Sequence, residues 1–163
     1  MGSYAMRPRH LLIALPLLAG CSFTESALTK ACEAEIKSRL RSPSTYERVE
    51  LLVDAVEISV AAWKSKEEDR LAGRSPDGDL TEEDKKLIDL AATVLSAGDS
   101  NPTLFIKFYS YDAANAYGTP VRGVSKCEYI SNDGEKGDIS RQWLLVDGET
   151  HAEWLLSAIH KLK

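Results

Sequence analysis

His151, His160, Ser125, the many carboxylates and the tyrosines between 109 and 117 are the side chains whose types and spacing could do chemistry. His151 and His160 are nine residues apart, about two and a half turns, so on one helix they point to opposite sides and cannot share a metal. His151-Ala152-Glu153 lacks the Pro-Cys-x-x-Cys partner of a zinc deaminase set. Both rings are expected on a solvated surface, with no metal. Gly123-Val124-Ser125-Lys126-Cys127 has no closing glycine for a nucleophile elbow and falls in an expected strand. No Ser-x-x-Lys and no glycine-rich phosphate loop occurs, so no cofactor is expected. Paired carboxylates could serve a glycosidase, yet an acidic, solvated surface supplies the same residues. The chain therefore reads as a non-enzyme. Tyr111, Asn115, Tyr117 and Arg122 are the candidate partner-binding residues, since aromatic and arginine side chains are enriched in binding hot spots. The competing reading packs the tyrosines on a sheet and leaves Asn115, Gly118 and Pro120 to shape a turn.

The N-terminus carries Arg7 and Arg9, then the apolar run Leu11 to Leu18 interrupted by Pro16, then Leu18-Ala19-Gly20-Cys21. The run is far short of the roughly 20 residues of a spanning helix, and the order basic, apolar, small is that of a secretory signal. Leu18-Ala19-Gly20-Cys21 resembles the lipobox of bacterial lipoproteins. That resemblance implies cleavage before Cys21, which becomes the new N-terminus, diacylation of its sulfur with palmitate-type chains, and a mature chain anchored to the membrane without spanning it. Single acyl chains hold only marginally, and two or more hold stably. Ser22 in place of an Asp favours the outer membrane. Met1-Gly2 begins a myristoylation pattern that Met6 breaks, because Ser or Thr is needed there.

Removing residues 1–20 leaves the span 21–163, a normal size for one domain. It also removes Arg7 and Arg9, so 18 basic residues face 25 acidic ones and the net charge becomes −7. That charge disfavours nucleic acid and anionic lipid head groups as partners. With Cys21 acylated, Cys32 and Cys127 remain, in an envelope that is oxidising and keeps disulfides. Leu28, Cys32, Ile36 and Leu40 form one i, i+4 row of a helix, which turns Cys32 inward. A Cys32–Cys127 bridge is expected, with two separate buried thiols as the other possibility.

The elements that would position these residues follow from periodicity and punctuation. Residues 21–27 read as a polar tether, and 28–163 as one α+β domain. A first helix from Leu28 to Arg41 stops at Ser42-Pro43. Tyr46 to Val60 alternates twice in opposite parity (Val49, Leu51, Val53, then Val56, Ile58, Val60), which predicts two strand segments or one strand with a bulge, although Leu52, Val56, Val60 and Trp63 also fit a helix. A helical insertion is expected at about 64–101. Thr81 to Asp84 opens it as a capping box, and Leu87, Leu90, Ala91, Val94 and Leu95 form its apolar stripe. Asp77 and Asp79 suggest calcium, but the loop lacks the required glycine and the bidentate glutamate. Strands at 103–109 and 121–130 form a hairpin, a short strand follows at 143–146, and Glu149 to Leu162 closes as a helix. Its expected inner side is Trp154, Leu155, Ala158, Ile159 and Leu162. Helices on one face of a small antiparallel sheet make a two-layer α+β fold.

Cys32, Arg41-Ser42-Pro43-Ser44-Thr45, Asp112-Ala113-Ala114-Asn115-Ala116-Tyr117-Gly118, Pro120-Val121-Arg122-Gly123 and Cys127 resemble small bacterial envelope domains of unassigned function. The resemblance covers residues 32–45 and 104–130, implies the same fold and disulfide, and implies no activity. The expected function is a lipid-anchored envelope protein, a binding or structural module facing the periplasm whose partners are an envelope protein or peptidoglycan. The alternative is a small envelope enzyme or enzyme inhibitor acting at the cell wall.

Overall fold

A computed structural model describes residues 25–98, 101–136 and 138–160. Cys21 and the whole N-terminal motif lie outside them, as does Leu162. Ser26 caps the first helix, α1 (Ala27–Arg39), by accepting the Thr29 N–H at 3.1 Å. A 3₁₀ turn at Pro43–Thr45 leads into strand β1 (Glu47–Glu57), followed by helices α2 (Val60–Ala72) and α3 (Glu82–Ser96). Strands β2 (Thr103–Ala114), β3 (Pro120–Ser131) and β4 (Leu145–Val146) precede the last helix, α4 (His151–His160). The sheet is antiparallel in the order β1-β2-β3-β4, which makes this an α+β fold.

Cys32 and Cys127 form the disulfide, with Cα atoms 6.0 Å apart and both residues about 1 % exposed. It fastens α1 to β3 in the middle of the main core. Leu28, Cys32 and Ile36 point down from α1 onto Phe105, Tyr109 and Cys127, with Leu144 and Val146 at the edge. Leu40 ends the row, because the chain has already left the helix there. Strand alternation sends Phe105, Lys107, Tyr109, Tyr111 and Ala113 to the α1 face, and Leu104, Ile106 and Phe108 to the opposite one. The second core, of Trp63, Ile88, Ala91 and Leu95, packs against Ile130, which pairs with Leu104 on that opposite face. The expected single helix layer is thus divided, with α1 on one side of the sheet and the α2–α3 hairpin over one end of the other.

Three local expectations change. The bulge in β1 falls at Val49, between Arg48 and Glu50, rather than beyond Val53. Val60 is not in a strand: Ser59 caps α2 by accepting the Ala62 N–H at 3.2 Å, and Ile58 and Val60 pack against the second core. The charge run Lys64 to Asp69 therefore forms the outer turns of a helix, anchored by buried Trp63. On α3 the capping box forms as read, Thr81 and Asp84 exchanging backbone bonds of 3.1 Å. Its buried stripe is Ile88, Ala91 and Leu95: Ala91 and Leu95 are buried as expected, Ile88 takes the place of Leu87, and Leu87, Leu90 and Val94 are exposed.

α4 buries none of its residues, and Leu155 and Ile159 face solvent. Charge holds it instead. Glu35, 1 % exposed on α1, accepts from Arg39 at 3.0 Å and Arg141 at 2.8 Å, and its Oε1 lies 2.9 Å from His151 Nδ1. Burial pushes the Glu35 carboxyl up, but the hydrogen bonds from His151 and Arg39 outweigh it and hold the group below its ordinary value. His151 is thus a structural partner rather than a free surface ring. Nδ1 of His160, at the other end, lies 2.9 Å from the Leu156 carbonyl of its own helix.

The disulfide closes a separation of 95 residues, which on the chain-entropy view constrains the unfolded state by roughly 4 to 5 kcal/mol. Replacing both cysteines by serine is expected to lower the urea midpoint by an amount equivalent to about 3–5 kcal/mol. Equilibrium denaturation of the two proteins, followed by tryptophan fluorescence, measures it.

Candidate functional site

The α2–α3 hairpin does not close onto the sheet along its whole length. Between them lies a cleft of about 540 Å³, within the range of small-molecule sites. Trp63, Lys66 and Arg70 are spaced i, i+3 and i+7, so one side of α2 presents all three to the cleft. α3 contributes Asp84, Leu87, Ile88 and Ala91, the i, i+3, i+4 and i+7 positions of one helix side, and β2 and β3 supply Leu104, Lys126, Glu128 and Ile130 from the alternating positions of one sheet face. Trp143 and Leu145 form the far end, where Trp143 remains 43 % exposed. The walls are apolar and the polar groups sit in two clusters.

The first cluster is Glu128, buried on β3. Its Oε1 accepts from Lys66 Nζ at 2.6 Å, and its Oε2 lies 2.9 Å from Lys126 Nζ. Burial raises the Glu128 carboxyl, but the hydrogen bonds and charges of Lys126 and Lys66 outweigh that and hold it below its ordinary value. The second cluster ties α2 to α4. Arg70 bonds Glu67 at 2.6 Å, Glu153 at 2.9 Å and the Gly148 carbonyl at 3.2 Å. Arg74 reaches Glu153 at 2.9 Å and Glu149 at 3.1 Å. Burial raises the Glu153 carboxyl; the Thr150 N–H and the two arginines bring it below its ordinary value. Neither Glu128 nor Glu153 is tuned to hold a proton at neutral pH, as a glycosidase acid must. Among the described residues no group of three or more His, Cys, Asp or Glu converges on a metal position.

The four hairpin residues are not brought together. Tyr111 points to the α1 face, its ring 5.2 Å from that of Tyr46 and seated on Gly123, where a Cβ would lie 2.6 Å from the tyrosine ring. Arg122 lies on the opposite face, in a two-pronged pair with Asp112 at 2.6 and 2.8 Å. Asn115 shapes the turn: its Oδ1 accepts the N–H groups of Tyr117 at 2.9 Å and Thr119 at 3.1 Å, and Gly118 supplies the positive φ of 79°. Tyr117 alone stands free, 93 % exposed at the tip. The strands run closer to the turn than expected, to Ala114 and from Pro120, leaving five residues between them.

The cleft residues escaped sequence reasoning because their spacing on α2 was hidden in a charge run and Glu128 looked like any other acid on a strand. The available signal was Trp63 with Lys66 and Arg70 at helical spacing, together with Lys126 two residues from Glu128 across one strand face. No family model matches the chain, and no curated protein or solved structure matches it.

Because its folded value is depressed, ionised Glu128 contributes stability above the ordinary 4.5, and that contribution is lost as pH falls through the lower folded value. Glu128→Gln is expected to cost about 1–2 kcal/mol at pH 7, at the low end for charged hydrogen bonds because both lysines are partly solvated. The gap to the native protein should close as pH is lowered past the carboxylate range. Urea denaturation of both proteins across pH checks the sign.

Proposed function

We propose that this chain is a lipid-anchored, non-enzymatic binding module of the bacterial cell envelope, held at the membrane by acyl groups on Cys21 and facing the periplasm. The observation that carries the reading is how the three cysteines divide. Cys32 and Cys127 are paired at the centre of the domain, an arrangement that persists in oxidising compartments. The third cysteine stands directly behind Leu18-Ala19-Gly20. Only Ser22 to Ser26 separate it from α1, so the domain would ride within a few residues of the bilayer.

Binding rather than catalysis is supported by the cleft, where Glu128 and Glu153 are ion-pair partners kept ionised by neighbouring cations. Tyr117 offers a second contact for an envelope protein or peptidoglycan, an exposed aromatic on a turn fixed by Asn115. Labelling in a bacterial host tests the anchor. The native chain is expected to incorporate labelled palmitate and to pellet with membranes, and Cys21→Ala to do neither. A native chain that stays unlabelled and soluble would overturn the anchored reading.

A further inference from the structure

We infer that the cleft between the sheet and the α2–α3 hairpin binds a monoanionic amphiphile, its apolar part against Trp63, Leu87, Leu104 and Trp143 and its carboxylate or phosphate between Lys66 and Lys126. The inference deepens the binding reading and rests on it, but it is independent of the lipid on Cys21.

The charge pattern selects the head group. Among the described residues, two ammonium groups share one carboxylate at Glu128, so this trio carries one net positive charge, while Asp84 on the α3 wall is held by Thr81. The two lysines come from opposite sides, α2 and β3, and each keeps about 40 % of its side chain in solvent. An ammonium group has three donors, so both can hold Glu128 and still donate to a second anion between them. Arg70 does not compete, since Glu67, Glu153 and a backbone carbonyl already occupy its guanidinium. Glu128 fixes where the lysines end, and a cationic or neutral head group would gain nothing there.

The walls select the tail. Leu87 is 60 % exposed while its neighbour Ile88 is buried, and Trp143 is left half open at the far end. These side chains line a volume of about 540 Å³, roughly eighteen times the share of one liquid water molecule. An apolar chain entering there removes Trp143 and Leu87 from water together and packs on the already buried Trp63, which is the main gain in sites of this kind.

The test uses the span 21–163 with Cys21→Ser, which contains every described residue and carries no acyl group of its own. Dodecanoate, dodecyl methyl phosphate (a singly charged phosphodiester), dodecanol and dodecyltrimethylammonium are titrated below their micellar concentrations, with tryptophan fluorescence and calorimetry as readouts. The two anions are expected to bind one to one and at least tenfold tighter than the alcohol or the cation, and their ratio distinguishes a carboxylate source from a phosphate source. Lys66→Glu and Lys126→Glu, from the two walls, should each lose at least tenfold in anion affinity while keeping the native circular dichroism. Lys30→Glu, the same charge change on the exposed side of α1, should lose nothing. The inference is overturned by no saturable binding, by equal affinity for all four head groups, or by anion binding that survives both cleft variants. It is also overturned by a dimer that Leu87→Glu dissolves, which would give the cleft to a second copy of the chain.

Discussion

Cys32 and Cys127 join the middle of α1 to the middle of β3, and most of the remaining geometry follows from where that bond holds the helix. With Cys32 pinned over the sheet, Leu28 and Ile36, one turn to either side, must lie on Phe105 and Tyr109. Thr29 is then carried over β2, where its Oγ1 accepts from Lys107 Nζ at 2.8 Å and its carbonyl accepts from the Tyr109 hydroxyl at 3.1 Å. Lys107, almost fully buried, gains Glu135 as its counter-ion at 2.8 Å. At the other end the same placement brings Glu35 to Arg141 and His151, and Arg39 to the carbonyls of Val146 and Glu149 at 2.7 and 2.9 Å. A buried charge is tolerated only with close, hydrogen-bonded partners. The two ion clusters therefore depend on the helix staying where the disulfide puts it.

The other face of the sheet is built differently. The α2–α3 hairpin rests on it through a core of four buried residues, Ile130, an Asn132 side-chain bond to the Leu95 carbonyl at 3.0 Å, and the Lys66–Glu128 pair. Exposed Leu52 and Phe108 pair across β1 and β2 on the part of that face left uncovered. One layer is welded and dry, and the other is propped at one end. A cleft opens where the propped layer stops short of the sheet, and the binding residues come from both sides of that gap.

The α1 core was legible because its signals are local: an i, i+4 apolar row with a cysteine in it, a proline stop, and two strand runs around a turn carrying Asn115 and Gly118. The capping box at Thr81 was legible for the same reason. What stayed hidden depends on pairings between distant segments. Glu35 reads as a solvated helix acid until Arg141 and His151 arrive from more than a hundred residues away. Lys107 reads as the polar side of a strand until Glu135 folds back over it. On α3 the periodicity marks Ala91 and Leu95 but takes Leu87 for Ile88, because the two look alike in a pattern and it is Ile88 that packs with Trp63. At the hairpin, the residues that seemed to form one patch fall in different places: Tyr111 faces α1, Arg122 pairs with Asp112 on the opposite face, and Tyr117 stands at the tip. The cleft had no signature of its own, since it is the space left between two elements.

The central claim is that α1 and the sheet form the stable frame while the α2–α3 hairpin is a separately held wall of the cleft. Native-state hydrogen exchange in low denaturant tests it most directly, because contiguous units open with their own free energies. The account predicts that the amides of α3 around Ile88 and Ala91 exchange through openings clearly less costly than those exposing Tyr109 and Cys127. If both sets open at one common free energy, that of global unfolding, the molecule is a single cooperative unit and the division into frame and wall is wrong.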